Sequence, residues 1–227
     1  DAAVHSAKDL PATLDAGLRI AATLPREDPR EAFVSAGYAR LADVPEAGVF
    51  GTASVRRAAL LKALRPKARF DLLRGNVEER VAALHARPLD GTILAVAGLK
   101  RLGLAAHIRE TLDPDALMPD PGQGAIAIVA RGDDASVRLA LARINHGPTL
   151  LAITAERAVL AAAGAQVVIG ALADVNHGVL TLRAVAADPA GRMIARARIA
   201  GPARTADALG VAAADRLLAS AAQARRA

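Results

Sequence analysis

Strands that alternate with helices are the sequence feature that most constrains this fold. In the middle of the chain, short apolar runs are each followed by a turn of small or polar residues and then by a helical segment. The three strand–helix pairs are predicted at 49–52 with 54–64, at 69–73 with 76–86, and at 92–97 with a helix from about 99. This rhythm is typical of an α/β domain whose sheet is mostly parallel.

Two proline-containing turns divide the chain. Residues 27–30 and 119–124 are polar and interrupt the strand–helix rhythm, which makes both of them candidate crossovers between domains. We therefore expect one α/β domain over residues 26–120 and another that combines residues 1–25 with 125–142. The second of these would take its strands from 2–5, 18–24 and 125–129.

The character of the sequence changes after Gly164. Apolar runs are now joined by tight turns, which predicts an antiparallel meander. We expect residues 147–227 to form a small α+β domain that begins with a helix. Its elements are predicted at 149–163 (helix), 166–172, 179–186 and 192–199 (strands) and 204–223 (helix).

Composition excludes several kinds of site. The 227 residues include no cysteine, so disulfides, Cys-ligated metal centres and thiol nucleophiles are excluded. Aromatic residues make up 2%, which argues against recognition of nucleic acid by base stacking. No window approaches the roughly 18 apolar residues of a membrane span. The histidines have no metal-ligand spacing, and no P-loop or dinucleotide glycine pattern occurs.

Basic residues follow three successive predicted strands. Since the carboxyl ends of parallel strands form one edge where ligands bind, we expect these side chains to converge on an anion pocket. Two other interpretations stay open: ordinary exposed helix residues, or an arginine excess that only reflects codon usage, with 25 Arg against 4 Lys. The residues are Arg56, Arg57, Arg74, Arg80, Lys100 and Arg101.

A carboxylate, Asp9, lies in the loop that leaves the first predicted strand. It follows Ser6 and Lys8 and comes just before Pro11. A carboxylate beside an arginine-rich pocket can stabilise a cation that forms during a reaction, or can move a proton. The alternative is a turn cap by Asp9 with an exposed Lys8. A triad with His5 is not supported, because no Gly-x-Ser-x-Gly elbow is present.

Six motifs occur in a fixed order along the chain. They are Val-His-Ser-Ala-Lys-Asp-Leu-Pro at 4–11, Arg-Glu-Asp-Pro-Arg at 26–30, Gly-Thr-Ala-Ser-Val-Arg-Arg at 51–57, Leu-Arg-Gly-Asn-Val at 73–77, Leu-Ala-Val-Ala-Gly-Leu-Lys-Arg-Leu-Gly at 94–103 and Pro-Gly-Gln-Gly-Ala at 121–125. Together they resemble the porphobilinogen deaminase (hydroxymethylbilane synthase) family. The match runs from residue 1 to the C-terminus.

The resemblance implies a fold and an activity. The family has two α/β domains like those of periplasmic binding proteins, linked by crossovers, and a small α+β third domain. Its members are transferases that join four porphobilinogen units head to tail and release ammonia, which gives hydroxymethylbilane for haem and related tetrapyrroles. The polypyrrole grows on a dipyrromethane cofactor, which a thioether links to a cysteine of the third domain.

The resemblance also assigns roles to residues. Asp9 matches the catalytic aspartate that stabilises cationic pyrrole intermediates, and Ser6 and Lys8 match its cofactor-binding loop. The arginines that match those holding acetate and propionate carboxylates are Arg56, Arg57, Arg74, Arg80 and Arg101.

Two departures from the family pattern stand out. The segment that precedes Asp1 in the family is absent, so we expect an incomplete first domain whose sheet has an exposed edge. The family's cofactor cysteine is replaced by Ala165 within Gly-Ala-Gln-Val-Val-Ile-Gly at 164–170, and a methyl group cannot form a thioether.

Three interpretations of function remain. The first is a porphobilinogen deaminase that binds porphobilinogen and the growing polypyrrole as a cytoplasmic monomer, without nucleic acid, membrane or metal. The second is a degenerate homologue that only binds carboxylated pyrroles or other anions. The third, a nucleic-acid-binding protein, rests only on a net charge of +6 and a basic pI, and would need a basic surface stripe.

Overall fold

A computed structural model of the chain describes residues 1–164, 167–192 and 194–224. The fold combines α/β and α+β units, which confirms the predicted class; the likeness to periplasmic binding proteins stays a prediction. The strands are β1 (Ala2–Ser6), β2 (Leu18–Thr23), β3 (Glu31–Val34), β4 (Val49–Gly51), β5 (Arg69–Asp71), β6 (Gly91–Ala95), β7 (Glu110–Thr111), β8 (Ile126–Arg131), β9 (Val168–Asn176), β10 (Val179–Ala187) and β11 (Ile194–Pro202).

The helices begin where the sequence supplies caps. Ser54 accepts a hydrogen bond from the backbone N–H of Arg57, and Asn76 forms a reciprocal capping box with Glu79, so helices start directly after β4 and β5. The helices are α1 (Val55–Leu64), α2 (Val77–Ala86), α3 (Val96–Arg101), α4 (Ala135–Ala142), α5 (Gly147–Ala163) and α6 (Ala206–Ala224).

The first sheet joins the two segments on either side of the middle unit. Its order is β1-β8-β2 with antiparallel pairs, and Val4 lies opposite Ile128. The predicted pairing between residues 2–5 and 125–129 is therefore confirmed. Strand β1 forms an exposed edge, as expected, and the Val4 side chain is 68% exposed. The domain bounds at residues 25, 125 and 142 stay a prediction.

The second sheet is mixed, so the prediction of a mostly parallel sheet is wrong. Its order is β5-β4-β6-β3-β7; β4 runs parallel to β5 and β6, whereas β3 runs antiparallel to β6 and β7. The sequence did not reveal β3, because it starts at Glu31 directly after the polar turn, nor β7, which has two residues. The strand predicted at 92–97 ends at Ala95, and α3 begins at Val96.

The third sheet is the predicted antiparallel meander, in the order β11-β10-β9. One face packs against α5 and α6 through small side chains and buried Leu180, Leu182 and Leu217. The other face contributes Leu172 and Val185 to a core shared with the second sheet. The α+β unit therefore packs directly on the middle unit. No helix within the described ranges is long and apolar enough to cross a membrane.

Candidate functional site

The site begins at the first turn of α1, where Arg56 and Arg57 are both buried. Glu31, at the start of β3, has no exposed surface, and its carboxylate forms ion pairs with the guanidinium groups of Arg56 and Arg57. Nε of Arg57 donates to Oε1 of Glu31 at 3.0 Å, and Nη2 donates to Oε2 at 2.8 Å. This two-bond geometry is the strongest arrangement for a guanidinium and a carboxylate. It ties the helix to the strand that follows the first crossover.

Arg56 also binds the second crossover. Its Nε donates to Oδ1 of Asp120 at 2.7 Å and its Nη2 to Oδ2 at 2.9 Å, while Nη1 donates to the carbonyl oxygen of Met118. With the bond from Nη2 to Glu31, Arg56 makes four hydrogen bonds within the protein. The structure thus uses most of its donors for internal contacts.

The ionisation of these groups follows from their pairing. Burial raises the pKa of Glu31, but the charges of Arg57 and Arg56 outweigh it and hold the pKa at about 2. Burial acts in the same sense on Asp120, and Arg56 again outweighs it, so the pKa of Asp120 is lowered. Burial alone would lower the pKa of Arg56, yet its two carboxylates raise it. All three groups are therefore charged at neutral pH.

Lys8 is a cation of this site that has no ion pair among the described residues. It lies in the 3₁₀ turn Ala7–Asp9 after β1, and its Nζ is 3.5 Å from Oε1 of Gln123. Burial lowers the pKa of Lys8, and the charge of Arg57 lowers it further, whereas Asp120 acts in the opposite direction. An anion that binds here would stabilise a charged amine that is poorly solvated and lies near another cation, so this position favours anion binding.

Arg80 completes the group. Its Nε donates to the carbonyl oxygen of Gly75 at 2.8 Å, and within the described ranges no ion pair involves it. Burial lowers the pKa of Arg80, and so does the charge of Arg57. We call the set formed by Lys8, Arg56, Arg57, Arg80, Glu31 and Asp120 the cationic cluster. Its carboxylates neutralise Arg56 and Arg57, so its excess positive charge lies on Lys8 and Arg80.

Asp9 and Ser6 flank Lys8 but differ in exposure. Asp9 ends the 3₁₀ turn and is exposed, and its charge acts on Lys8 to raise the pKa of the amine. Ser6 is half-buried at the end of β1, opposite Ile126. Its side chain does not cap the turn. The alternative of a turn cap by Asp9 stays a prediction.

The other predicted basic residues lie elsewhere. Arg74 is exposed, and no hydrogen bond to it is found within the described ranges. Nη2 of Arg101 donates to the carbonyl oxygen of Gly124 at 2.8 Å, and Lys100 pairs with Glu27 at 2.9 Å. The strand ends thus bring Arg57 and Arg80 to the cluster, whereas Lys100 and Arg101 support the crossovers.

Glu156 of α5 has no exposed surface and links the crossovers to the α+β unit, which is called the third unit below. Its carboxylate pairs with Arg26, whose Nη1 and Nη2 lie 2.6 and 3.0 Å from Oε1 and Oε2. It also accepts the backbone N–H of Gly122 at 2.6 Å and of Ala173 at 2.7 Å. Since Gln123 adjoins Gly122 and faces Lys8, this contact helps to position the cationic cluster.

One predicted position lies outside the described residues, and one cavity lies apart from the cationic cluster. Ala165, which by resemblance takes the place of the cofactor cysteine, lies outside the described residues. A cavity of about 730 Å³ between β2 and the helices α5 and α6 contains Arg19, Arg157 and Asp207 but none of the predicted site residues. Arg157 at this cavity donates hydrogen bonds to the carbonyl oxygens of Pro11 and Ala12, which lie in the loop before β2. This cavity is separate from the cationic cluster.

Sequence reasoning missed Glu31, Asp120 and Glu156. Glu156 carried a usable signal, because it stands among alanine, isoleucine and valine in a helix that has to be buried. A carboxylate on such a face needs an ion pair or several N–H donors. Glu31 directly follows one proline-containing turn and Asp120 stands in the other. A carboxylate is commonplace at such positions, so neither residue carried a comparable signal.

Comparison with known proteins gives a consistent result. A family model described as "Porphobilinogen deaminase, dipyromethane cofactor binding domain" matches residues 1–139, and one described as "Porphobilinogen deaminase, C-terminal domain" matches residues 150–219. The chain is similar to porphobilinogen deaminase of Chromobacterium violaceum, with 46% identity over 220 residues. That alignment covers 96% of this chain and 71% of the relative.

Solved structures show weaker likeness. A putative methionine-binding lipoprotein from Bacillus subtilis has a TM-score of 0.41 and 16% identity, over 58% of this chain and 62% of the other. YhfZ from Shigella flexneri has a TM-score of 0.34 and 18% identity, over 66% of this chain and 65% of the other. These scores are too low to support a conclusion about fold or ligand.

Proposed function

This chain belongs to the porphobilinogen deaminase family, and we propose that it has the family's transferase role in tetrapyrrole biosynthesis. In that role four porphobilinogen units are condensed to hydroxymethylbilane with release of ammonia. The substrate carries an acetate and a propionate carboxylate together with a protonated aminomethyl group.

The observation that carries this proposal is a pair of cations in the cationic cluster, Lys8 and Arg80, for which the described residues offer no ion-pair partner. Lys8 and Arg80 lie near Arg57, whose Nη1 has no hydrogen-bond partner among the described residues. A carboxylate that binds there replaces lost water with charge-assisted hydrogen bonds and relieves the repulsion among the three cations. Porphobilinogen has two such carboxylates.

Asp9 supports the reaction rather than the binding. Loss of ammonia from the aminomethyl group leaves a cationic pyrrole carbon, and an exposed carboxylate next to the site stabilises that cation by direct attraction. The same carboxylate can hold the pyrrole N–H. Because the cation exists only during the reaction, this attraction acts on the transition state more than on bound substrate.

The family's dipyrromethane cofactor does not fit the residues of this chain. Its attachment requires a thiol, and the sequence contains no cysteine at any position. Ala165 offers only a methyl group. The missing thiol therefore favours a second candidate function, which is reversible binding of carboxylated pyrroles without turnover.

We also propose that the protein acts in the cytoplasm as a monomer on small-molecule polyanions, not on nucleic acid or a membrane. The support is the biosynthetic family and the place of the free cations. The charge of Arg57 acts on both Lys8 and Arg80, which are half-buried, whereas a nucleic-acid surface requires a basic stripe and, for single strands, stacking aromatics.

Calorimetric titration with porphobilinogen tests the binding part of this proposal. We expect the wild type to bind, and we expect Lys8→Gln and Arg80→Gln each to weaken binding by about 1.5–3 kcal/mol, the scale of a charge-assisted hydrogen bond. Arg40→Gln is the matched control, since Arg40 is exposed and pairs with Asp43 outside the cluster. Absence of binding by the wild type would contradict both candidate functions.

A turnover assay separates the two candidates. Release of hydroxymethylbilane and ammonia by the wild type supports the transferase, whereas binding without release supports the second candidate. Ala165→Cys supplies the missing thiol, and its product formation should be compared with that of the wild type at equal concentration.

A further inference from the structure

Asp120 occupies Arg56 in the way that a ligand carboxylate would. Both carboxylate oxygens face the guanidinium, with Oδ1 at 2.7 Å from Nε and Oδ2 at 2.9 Å from Nη2. This parallel pair of bonds is the standard geometry for carboxylate recognition by arginine. The protein therefore supplies its own carboxylate to one of its cluster arginines.

Arg56 does not depend on Asp120 for its position. Glu31 accepts a hydrogen bond from Nη2, and the carbonyl oxygen of Met118 accepts one from Nη1. The Arg56 side chain is only 4% exposed, and Glu31 is fully buried. The Asp120 side chain, by contrast, is 34% exposed, so it lies on the open side of the pair. Removing it would uncover Nε and Nη2 without releasing the guanidinium.

Asp120 also affects the cations that remain free. Burial and the charge of Arg57 lower the pKa of Lys8, and the negative charge of Asp120 opposes them. The carboxylate is thus close enough to repel an anion that approaches these two cations. A single position reduces both the number of open guanidinium forks and the positive potential of the cluster.

We propose that Asp120 is a specificity-determining residue of the cationic cluster: it fills the Arg56 fork and limits carboxylate binding to Lys8, Arg57 and Arg80. This inference rests on the proposed function, because it takes porphobilinogen as the ligand. It goes beyond that function by stating which arginine is withheld from the substrate. It also assigns the second crossover a part in setting how many carboxylates the site accepts.

The test uses Asp120→Ala, which opens the fork, and Asp120→Asn, which keeps the side-chain volume but removes the charge. Asp120→Asn also keeps the test decisive if the alanine variant fails to fold. Asp133→Asn is the matched control, since this substitution makes the same change in net charge. Asp133 is exposed and follows the C-terminal end of β8. Removing a unit charge beside the free cations should tighten porphobilinogen binding on the order of tenfold in both Asp120 variants.

A second readout follows the Nε–H signal of Arg56 by NMR during titration with acetate. In Asp120→Ala, acetate should shift this signal and should weaken porphobilinogen binding by competing for the fork. In the wild type, Asp120 already occupies the fork, so the signal should not respond.

The outcomes distinguish failure of the proposed function from failure of the inference about Asp120. If the wild type and all variants fail to bind porphobilinogen, the proposed function fails, and the acetate titration still decides whether Asp120 closes the fork. Unchanged or weaker porphobilinogen binding in folded Asp120→Ala and Asp120→Asn would overturn the inference. An Arg56 signal that ignores acetate in Asp120→Ala would also overturn it, since Asp120 would then only reinforce the crossover.

Discussion

Replacing Glu156 by glutamine removes the charge on which both crossovers and the third unit converge. The carboxylate accepts two bonds from Arg26 and one each from the backbone N–H groups of Gly122 and Ala173, at 2.6–3.0 Å. In glutamine, one of these oxygens becomes an NH₂ group. Each carboxylate oxygen of Glu156 accepts one hydrogen bond from Arg26 and one from a backbone N–H. In either orientation of the glutamine amide, its NH₂ group would face two N–H donors and could accept a hydrogen bond from neither of them.

The magnitude follows from burial. Glu156 has no exposed surface and the Arg26 side chain is 11% exposed, so the substitution leaves a nearly buried guanidinium without its counter-charge. Breaking a buried pair in this way costs about 3–5 kcal/mol. For a chain of this size, that free energy corresponds to a fall in Tm on the order of 10 °C.

Thermal and urea unfolding of Glu156→Gln, measured by circular dichroism, provides the assay. Glu46→Gln is the matched control: Glu46 pairs with Lys67 at 2.6 Å, but both side chains are about three-quarters exposed. Exposed pairs contribute little, so the control should unfold with the wild type. If Glu156→Gln also unfolds within 1 °C of the wild type, the reasoning that this carboxylate joins the crossovers to the third unit is refuted.

Three other predictions concern the crossovers and the site. Gly124→Ala should lose about 2–4 kcal/mol of unfolding free energy, because φ is +85° and a Cβ would overlap the carbonyl oxygen of Glu27; at Gly103, where φ is +72° but the space is open, alanine should cost less. The pKa of Glu31 is lowered from 4.5 to about 2, so its ionised carboxylate should stabilise the fold fully above pH 4.5. About 3 kcal/mol of unfolding free energy should be lost as the pH falls towards 2, and urea unfolding that shows no loss over this range would contradict the prediction. Asp9→Asn should leave porphobilinogen affinity within about twofold of the wild type in calorimetry, since its proposed role is towards a cation formed only in the reaction; a tenfold loss would place Asp9 in ground-state binding.

Local signals in the sequence were sufficient for most elements. Ser54 and Asn76 follow short apolar runs, and both cap helices where the pattern placed them. The tight turns after Gly164 predicted the meander, because short connections, such as the two residues between β9 and β10, force neighbouring strands to run antiparallel. By contrast, β3 starts with a charged residue that is buried only because two arginines reach it, and no local pattern reveals that.

The site was harder to predict for the same reason. The sequence placed Arg56 and Arg57 at a strand-to-helix turn, which is where they lie. It could not show that Glu31, 25 residues before Arg56, and Asp120, 64 residues after it, use the Arg56 donors. Residue type and spacing predict where a cation stands along the chain. Whether it is free to bind a ligand depends on long-range partners, which only the folded structure supplies.

Mass spectrometry of the chain with excess porphobilinogen, recorded under native and then denaturing conditions, tests the central claim most directly. We expect a complex under native conditions, because Lys8, Arg57 and Arg80 bind the carboxylates. Under denaturing conditions we expect the unmodified 23.2 kDa chain, since no thiol is present to retain a pyrrole. An adduct that survives denaturation would show that another residue anchors the pyrrole. Absence of the native complex would show that the cationic cluster does not bind it.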